Sequence, residues 1–262
     1  MPVAGGLYYE RHGDRDAPPL ILSAGLGGSG RYWEPNLAAL AEHFHVVLYD
    51  QRGTGRSDRA LPQVAASDEG MTFDLKSLMD DIGVVSAHIM GHAAGAMIAM
   101  RLAVEWPERV RSLVLVNGWA EPDPHFARCF EARLELLRQS GVRAYVRAQP
   151  IFLFPANWIS EHSDRLEAEE AGHIEHFPAI DVMERRIEVL RSFDFLDYLQ
   201  HIDVPVLALA SEDDMLVPSR CGRRIAEAIP GAQFAAMQWG GHGCNVTDPE
   251  TFNRIVLEFL GD

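Results

Sequence analysis

Short apolar runs alternate with longer amphipathic segments through the first half of the chain. Apolar runs rich in β-branched residues predict strands at residues 7–11, 20–24, 45–49, 86–90 and 111–116. Helical periodicity between these runs predicts helices at residues 32–42, 73–82 and 94–105, and Pro107 blocks continuation of the last one. Alternation of this kind is typical of a mostly parallel sheet with helices on both faces.

The pattern changes after Asn117. Residues 119–201 are rich in Arg and Glu, have amphipathic periodicity and contain almost no strand-like runs, which predicts an all-helical insertion. Strands are then predicted at residues 205–210 and 233–237, and helices at residues 219–228 and 251–260. We therefore predict an α/β fold whose core, residues 1–118 and 202–262, is interrupted by a helical cap of residues 119–201.

Composition narrows the range of partners. The 262 residues are enough for one large domain, and 23 basic against 38 acidic residues leave a net charge of −15. This charge argues against nucleic acid or an anionic membrane as the main partner. Three widely spaced cysteines and an N-terminus without a leader pattern favour a reduced, cytoplasmic protein. We expect a small-molecule substrate, and the sequence leaves a homodimer open.

Residues 82–100 contain no Asp, Glu, Lys or Arg and could be mistaken for a membrane span. We predict a strand, a tight turn and a helix there instead, because the stretch holds three glycines and two histidines. Its segment Gly91-His92-Ala93-Ala94-Gly95 has the spacing of the nucleophile elbow G-x-S-x-G. The central residue is Ala93, which cannot attack a substrate, and a simple packing turn is the competing interpretation.

A second glycine-rich loop, residues 25–30, follows the strand predicted at 20–24. Its sequence satisfies the dinucleotide-binding pattern G-x-G-x-x-G, and Asp50 follows 20 residues after Gly30. However, Pro35 stands at the start of the next helix, and Asp50 itself opens another glycine-rich loop. We therefore favour a loop whose backbone N–H groups form half of an oxyanion hole.

An acid and a histidine follow in the order expected for a nucleophile-elbow enzyme. Asp213 and Asp214 come after the strand predicted at 205–210, and His242 precedes the last helix. Asp214 is the preferred acid because its spacing to Pro218 fits the usual pattern. Its neighbour Asp213 is the alternative.

Other nucleophiles and metal ligands have weaker support. Cys244 lies two residues after His242 and is kept as an alternative nucleophile. His173 and His176 could share one helix face, but no third ligand motif accompanies them. We expect no metal and no cofactor.

These motifs are similar to those of the α/β-hydrolase-fold family and, within it, of the hydrolases of the Rut pathway of pyrimidine-ring degradation. The resemblance rests on residues 23–30, 49–55, 91–96, 116–119, 128–130, 148–150 and 240–252. It covers most of the chain, cap included, and is poor before Leu20 and at residues 160–200. It implies that the alanine at the elbow belongs to the natural protein.

The resemblance also implies the chemistry. The expected reaction is breakdown of carbamate to ammonia and carbon dioxide by general acid/base chemistry without a serine nucleophile. The alternatives are hydrolysis of 3-aminoacrylate to malonic semialdehyde and ammonia, a non-catalytic small-molecule binder, and a cofactor-free oxygenase or lyase. Both substrates are anions, so the net acidity requires a local positive group, for which Arg128 of the cap is one candidate.

Each site residue has an expected role in this chemistry. His242, oriented by Asp214, is the general acid or base. The backbone N–H groups of Leu26 and Ala94 hold the substrate carboxylate or a developing oxyanion. Asn117, at a strand end before the cap, is expected to contact the substrate.

Overall fold

Eight strands form one sheet in the computed structural model, which describes residues 3–261. The strands are β1 (Val3–Ala4), β2 (Leu7–His12), β3 (Pro19–Ser23), β4 (His45–Tyr49), β5 (Ala87–His92), β6 (Val110–Val116), β7 (Val206–Ser211) and β8 (Gln233–Met237). Their order is β1-β2-β4-β3-β5-β6-β7-β8. The pairs β1/β2 and β2/β4 are antiparallel, and all other pairs are parallel. This sheet confirms the predicted α/β class.

Helices cover both faces of the sheet and fill the long connection between β6 and β7. They are α1 (Glu34–Ala41), α2 (Asp68–Asp81), α3 (Ala94–Glu105), α4 (Pro124–Glu135), α5 (Gly141–Leu153), α6 (Ala156–Glu161), α7 (Ser163–Glu175), α8 (Ile180–Ser192), α9 (Ser219–Ala228), α10 (Cys244–Thr247) and α11 (Pro249–Gly261). None of the helices within the described range is long and apolar enough to cross a membrane.

Two helix starts differ from the prediction for local reasons. The helix predicted from residue 73 begins at Asp68, because the Ser67 side chain caps it by accepting a hydrogen bond from the Gly70 N–H at 2.9 Å. The helix predicted at residues 32–42 is divided into a 3₁₀ turn, Gly30–Trp33, and α1. Pro35 lies in the first turn of α1, where its missing N–H is tolerated.

The central strands are buried on both faces, which explains their continuous apolar runs. Alternate residues point to opposite layers. Leu20, Leu22, Val46 and Leu48 pack with Phe252 of α11, whereas Ile21, Val47 and Ile89 pack with α2 and α3. The second layer continues into the helices between β6 and β7, so these helices share one apolar cluster with the sheet.

The connection from β6 to β7 contains α4 to α8 and, within the described chain, no strand. Its first helix begins after Asp123, whose side chain accepts hydrogen bonds from the N–H groups of His125 at 2.8 Å and Phe126 at 3.1 Å. This helical segment lies within the predicted cap, residues 119–201. The exact domain boundaries stay a prediction.

Candidate active site

The turn between β5 and α3 has the backbone geometry of a nucleophile elbow. Ala93 has φ 50° and ψ −107°, a conformation that costs a non-glycine residue on the order of 1–3 kcal/mol. The Ala93 N–H donates to the carbonyl of Val116 on β6 at 2.9 Å, which holds the turn against the neighbouring strand. The turn is therefore strained in the manner expected of a functional site, although its side chain is a methyl group.

Two glycines permit this turn because other backbone atoms approach them closely. A Cβ atom on Gly91 would lie 2.2 Å from the carbonyl of Gly95, and one on Gly95 would lie 2.1 Å from the carbonyl oxygen of Ser23. Both obstacles are backbone atoms, which cannot rotate away. The glycines of the motif are thus required by packing between β3, β5 and α3.

Replacing Gly95 by alanine is expected to lower the free energy of unfolding by about 3 kcal/mol or more, because β3 must move away from α3. Gly172→Ala is the matched control, since Gly172 lies in α7 with no atom within 4 Å of the new Cβ. The control should raise stability by about 0.5–1 kcal/mol. Urea denaturation of both variants measures the difference, and equal stabilities would contradict the close approach.

His242 and Asp214 form a buried hydrogen-bonded pair. The imidazole Nδ1 lies 2.7 Å from Asp214 Oδ2, and the two residues are 2% and 8% exposed. The other carboxylate oxygen accepts the N–H groups of Leu216 at 2.7 Å and Val217 at 2.9 Å. Because the Asp214 carboxylate accepts this hydrogen bond, Nδ1 carries a proton. Nε2 is then the ring nitrogen that can exchange a proton with a substrate.

Asp213, the alternative acid, has another task. Its Oδ1 accepts the hydroxyl of Ser211 at 2.7 Å and the N–H of Gly241 at 2.8 Å. Asp213 therefore fixes the loop that carries His242, and the structure places only Asp214 against the imidazole.

Asn117 also holds the histidine loop. It has φ 46°, and its side-chain amide donates to the carbonyl of His242 at 2.8 Å and accepts the N–H of Ser211 at 3.0 Å. The residue is 1% exposed. The amide of Asn117 is thus used inside the protein, where it holds the histidine loop, and its contact with a substrate stays a prediction.

His92 is a site residue that the sequence did not single out. Its Nε2 donates to the carbonyl of His242 at 2.8 Å, and its ring stacks on Tyr32 with centroids 4.6 Å apart. Burial, together with the nearby His242, lowers the pKa of His92 well below its ordinary value. His92 is therefore a neutral donor that ties the elbow to the histidine loop. Its place beside the elbow centre was the only signal in the sequence.

The predicted oxyanion donors lie on two segments that meet at the elbow. Ala94 is the first residue of α3, so its N–H has no acceptor within the helix. The N–H of Leu26 makes no hydrogen bond to any residue in the range 3–261. The two loops touch, since a Cβ atom on Gly25 would lie 3.6 Å from that of Ala93. Their role in binding stays a prediction, supported by these free N–H groups.

The geometry of Asp50 disfavours the dinucleotide alternative. Its carboxylate accepts the N–H of Gly30 at 2.8 Å and both the N–H and Nε of Arg56 at 2.9 and 2.8 Å, and its side chain is fully buried. Burial raises the pKa of Asp50, but these hydrogen bonds outweigh it and leave the pKa lowered. The carboxylate joins two loops of the protein and is not available to a ribose.

The structure gives little support to the alternative nucleophile, Cys244, and to the candidate cation, Arg128. Burial, assisted by the charge of Asp214, raises the pKa of Cys244 to about 12, which makes its thiol a weak nucleophile at neutral pH. Arg128, suggested as the cation of the cap, is exposed on α4. No cluster suited to a metal ion occurs among the side chains of residues 3–261.

Arg186 of α8 is a buried cation that the sequence pattern did not single out. It lies on the same helix face as Val182, Met183, Ile187 and Leu190, all of them buried. A charged residue on an otherwise apolar helix face was the available signal.

An elbow after β5, an acid after β7 and a histidine before the last helix define an α/β hydrolase without its usual nucleophile. The family described as the alpha/beta hydrolase fold matches residues 18–153. The chain belongs to the α/β-hydrolase-fold family, within the group of the RutD proteins.

Relatives support this placement and a hydrolase role. A protein of Caulobacter sp. (strain K31) named "Putative carbamate hydrolase RutD" is 53% identical, with 97% of this chain and 96% of the relative covered. A protein of the same name from Azorhizobium caulinodans is 46% identical over 100% and 99%. Among solved structures, the enol-lactonase from Burkholderia xenovorans LB400 is 26% identical, with a TM-score of 0.88 and 99% and 98% covered.

Proposed function

We propose that the protein breaks carbamate down to ammonia and carbon dioxide, by proton transfer from His242 and without a covalent intermediate. The observation that carries the proposal is a complete acid–histidine pair, Asp214 Oδ2 to His242 Nδ1 at 2.7 Å, beside an elbow whose central residue is Ala93. The names of the relatives point to the same substrate and, through the Rut pathway, to pyrimidine breakdown.

The reaction needs a proton at nitrogen. Carbamate, H₂N–COO⁻, accepts one proton on its nitrogen from Nε2 of the His242 imidazolium. The electrons of the carbon–nitrogen bond leave with the nitrogen as ammonia, and the carboxylate becomes carbon dioxide. The Asp214 carboxylate stabilises the imidazolium before transfer, and solvent returns the proton to Nε2 afterwards.

No step of this reaction requires an attacking side chain. A serine at the elbow would serve acyl transfer, whereas carbamate loses ammonia once its nitrogen is protonated. The free N–H groups of Leu26 and Ala94 are donors for the carboxylate. The site is nearly closed, since Ala93, Asp214 and His242 are 5%, 8% and 2% exposed, which favours a substrate of few atoms over a long acyl chain.

The same groups support 3-aminoacrylate hydrolysis as the second candidate. Ala93 ends at Cβ, so no hydroxyl competes for the place between the elbow and His242. A water molecule there would pass a proton to Nε2 as it attacks the protonated imine tautomer and forms a carbinolamine. Nε2 would then return this proton to the nitrogen, so that ammonia leaves, the hydroxyl gives its proton to solvent and malonic semialdehyde remains. His242 is then first the general base and afterwards the general acid.

A comparison of two substrates tests the proposal. Ammonia release is followed from potassium carbamate and from freshly prepared 3-aminoacrylate, each corrected for the uncatalysed rate at the same pH in an amine-free buffer. We expect acceleration with carbamate that is proportional to enzyme concentration. Acceleration with aminoacrylate alone, with malonic semialdehyde trapped by a hydrazine, would favour the second candidate. Binding without acceleration of either reaction would leave a small-molecule binder.

A further inference from the structure

A buried arginine of the cap reaches across to the loop that carries one predicted oxyanion donor. Arg186 of α8 is 1% exposed, and its Nε and Nη2 both donate to the carbonyl oxygen of Leu26, at 3.1 and 2.9 Å. Nη2 also donates to Oε1 of Gln51 at 2.5 Å, and Nη1 to the carbonyl of Arg52 at 3.4 Å. Within residues 3–261 the guanidinium therefore hydrogen-bonds only to neutral acceptors.

The positive charge of Arg186 has no counter-ion in the described part of the chain. No carboxylate lies within salt-bridge distance of its guanidinium there. Burial accordingly lowers the pKa of Arg186 to about 10, so the side chain stays charged at neutral pH in an environment that disfavours the charge. An anion that binds close to such a buried cation stabilises its charge.

Hydrogen bonds on both sides of Leu26 fix the direction of its N–H. The carbonyl of Gly25, in the same peptide unit as that N–H, accepts the N–H of Gly28 at 3.0 Å. The carbonyl of Leu26, in the next peptide unit, accepts Arg186. Gln51 supports the arrangement, because its Nε2 donates to the carbonyl of Ala24 at 2.7 Å. The cap thus orients a loop that belongs to the core.

We propose that Arg186 is the positioning residue of the oxyanion loop and the counter-charge that lets this acidic protein hold a small carboxylate-like anion. This inference rests on the proposed function, because it concerns the anion that the same site would bind. It makes the site specific for anionic substrates over neutral amides of the same shape. It also makes the cap a part of the binding site, since Arg186 comes from α8.

Arg133 provides the comparison that isolates this role. It is also a buried arginine of the cap, 4% exposed, and forms no ion pair within residues 3–261. Its guanidinium lies over the rings of Phe130, Tyr145 and Phe152, at 5.0 to 5.6 Å from their centroids. Aromatic faces compensate that charge. Its guanidinium hydrogen-bonds to the hydroxyl of Tyr145 and, within residues 3–261, to no atom of the Leu26 loop.

Acetate and acetamide test the inference, because acetate has the shape and charge of carbamate and acetamide has the shape without the charge. Their dissociation constants are measured by ligand-observed NMR for the wild type, Arg186→Met, Gln51→Glu and Arg133→Met. Gln51→Glu leaves the arginine in place and sets a carboxylate against it. Far-ultraviolet circular dichroism checks that each variant is folded.

We expect Arg186→Met and Gln51→Glu to raise the dissociation constant of acetate, relative to that of acetamide, by roughly tenfold or more. Arg133→Met should change this ratio by less than about threefold. If Arg186 only held the loop in place, its loss would weaken the binding of both ligands equally. If Arg186→Met does not fold, the acetate-to-acetamide ratio of Gln51→Glu tests the inference. An unchanged ratio in a folded Arg186→Met or Gln51→Glu protein would overturn the inference. Since binding is measured without turnover, this result is independent of whether carbamate is the substrate.

Discussion

Replacing His242 by alanine is expected to lower the enzyme-dependent rate of ammonia release from carbamate by about 10²- to 10⁴-fold. Within residues 3–261 the imidazole is the only side chain that hydrogen-bonds to the buried Asp214 carboxylate, and its Nε2 is the proposed proton donor. Without it, the Leu26 and Ala94 N–H groups are still expected to bind the anion, but they cannot deliver a proton. The loss should therefore fall on kcat far more than on KM.

His173→Ala is the matched control, because it removes an imidazole from the exposed face of α7. Its rate should equal that of the wild type. Added imidazole should restore part of the activity of His242→Ala by entering the vacated space. A His242→Ala rate equal to the wild-type rate at saturating carbamate would rule out the proposed mechanism.

Asp214→Asn is expected to lower kcat by as much as about 10⁴-fold while the protein stays folded. In the wild type, Oδ1 accepts two backbone N–H groups and Oδ2 faces the imidazole. An asparagine keeps its oxygen on the backbone donors, so its NH₂ group faces Nδ1 of His242. The imidazole must then carry its proton on Nε2 as a neutral ring, which is a poor acid and cannot act as a base.

Comparison with the double variant identifies the two residues as one unit. The combined variant Asp214→Asn/His242→Ala should be about as slow as His242→Ala alone, since each change disables the same proton transfer. ¹⁵N NMR of the histidine rings would report the change of tautomer directly in Asp214→Asn. Multiplicative losses in the double variant would show that Asp214 acts elsewhere.

A buried arginine of the cap explains how a protein with a net charge of −15 could bind an anionic substrate. An acidic protein repels anionic substrates at long range, but salt screens that repulsion beyond about 8 Å at physiological ionic strength. A single desolvated charge near the bound ligand is screened much less. Arg186 is such a charge, whereas the exposed Arg128 would act through water.

Local pattern was enough to predict the elbow and every strand of the sheet except the two-residue β1. The strands predicted at 45–49 and 233–237 match β4 and β8 residue for residue. The apolar run of β4 suits a strand that is buried on both faces, whereas β8 is a partly exposed edge strand. The glycine spacing predicted the elbow because only glycine allows the backbone of β3 to approach α3 so closely. Helix starts were less accurate, since a single capping side chain such as Ser67 sets them.

The sequence by itself determined the α/β class, the helical insertion and an elbow with alanine in place of serine, since these depend on periodicity and on residue types at fixed spacing. Only the tertiary structure decided which aspartate faces His242, that Asn117 and His92 hold its loop, and that Arg186 binds a carbonyl 160 residues away. Hydrogen-bond partners and uncompensated charges arise where distant segments pack together, and nothing in the local pattern specifies those contacts.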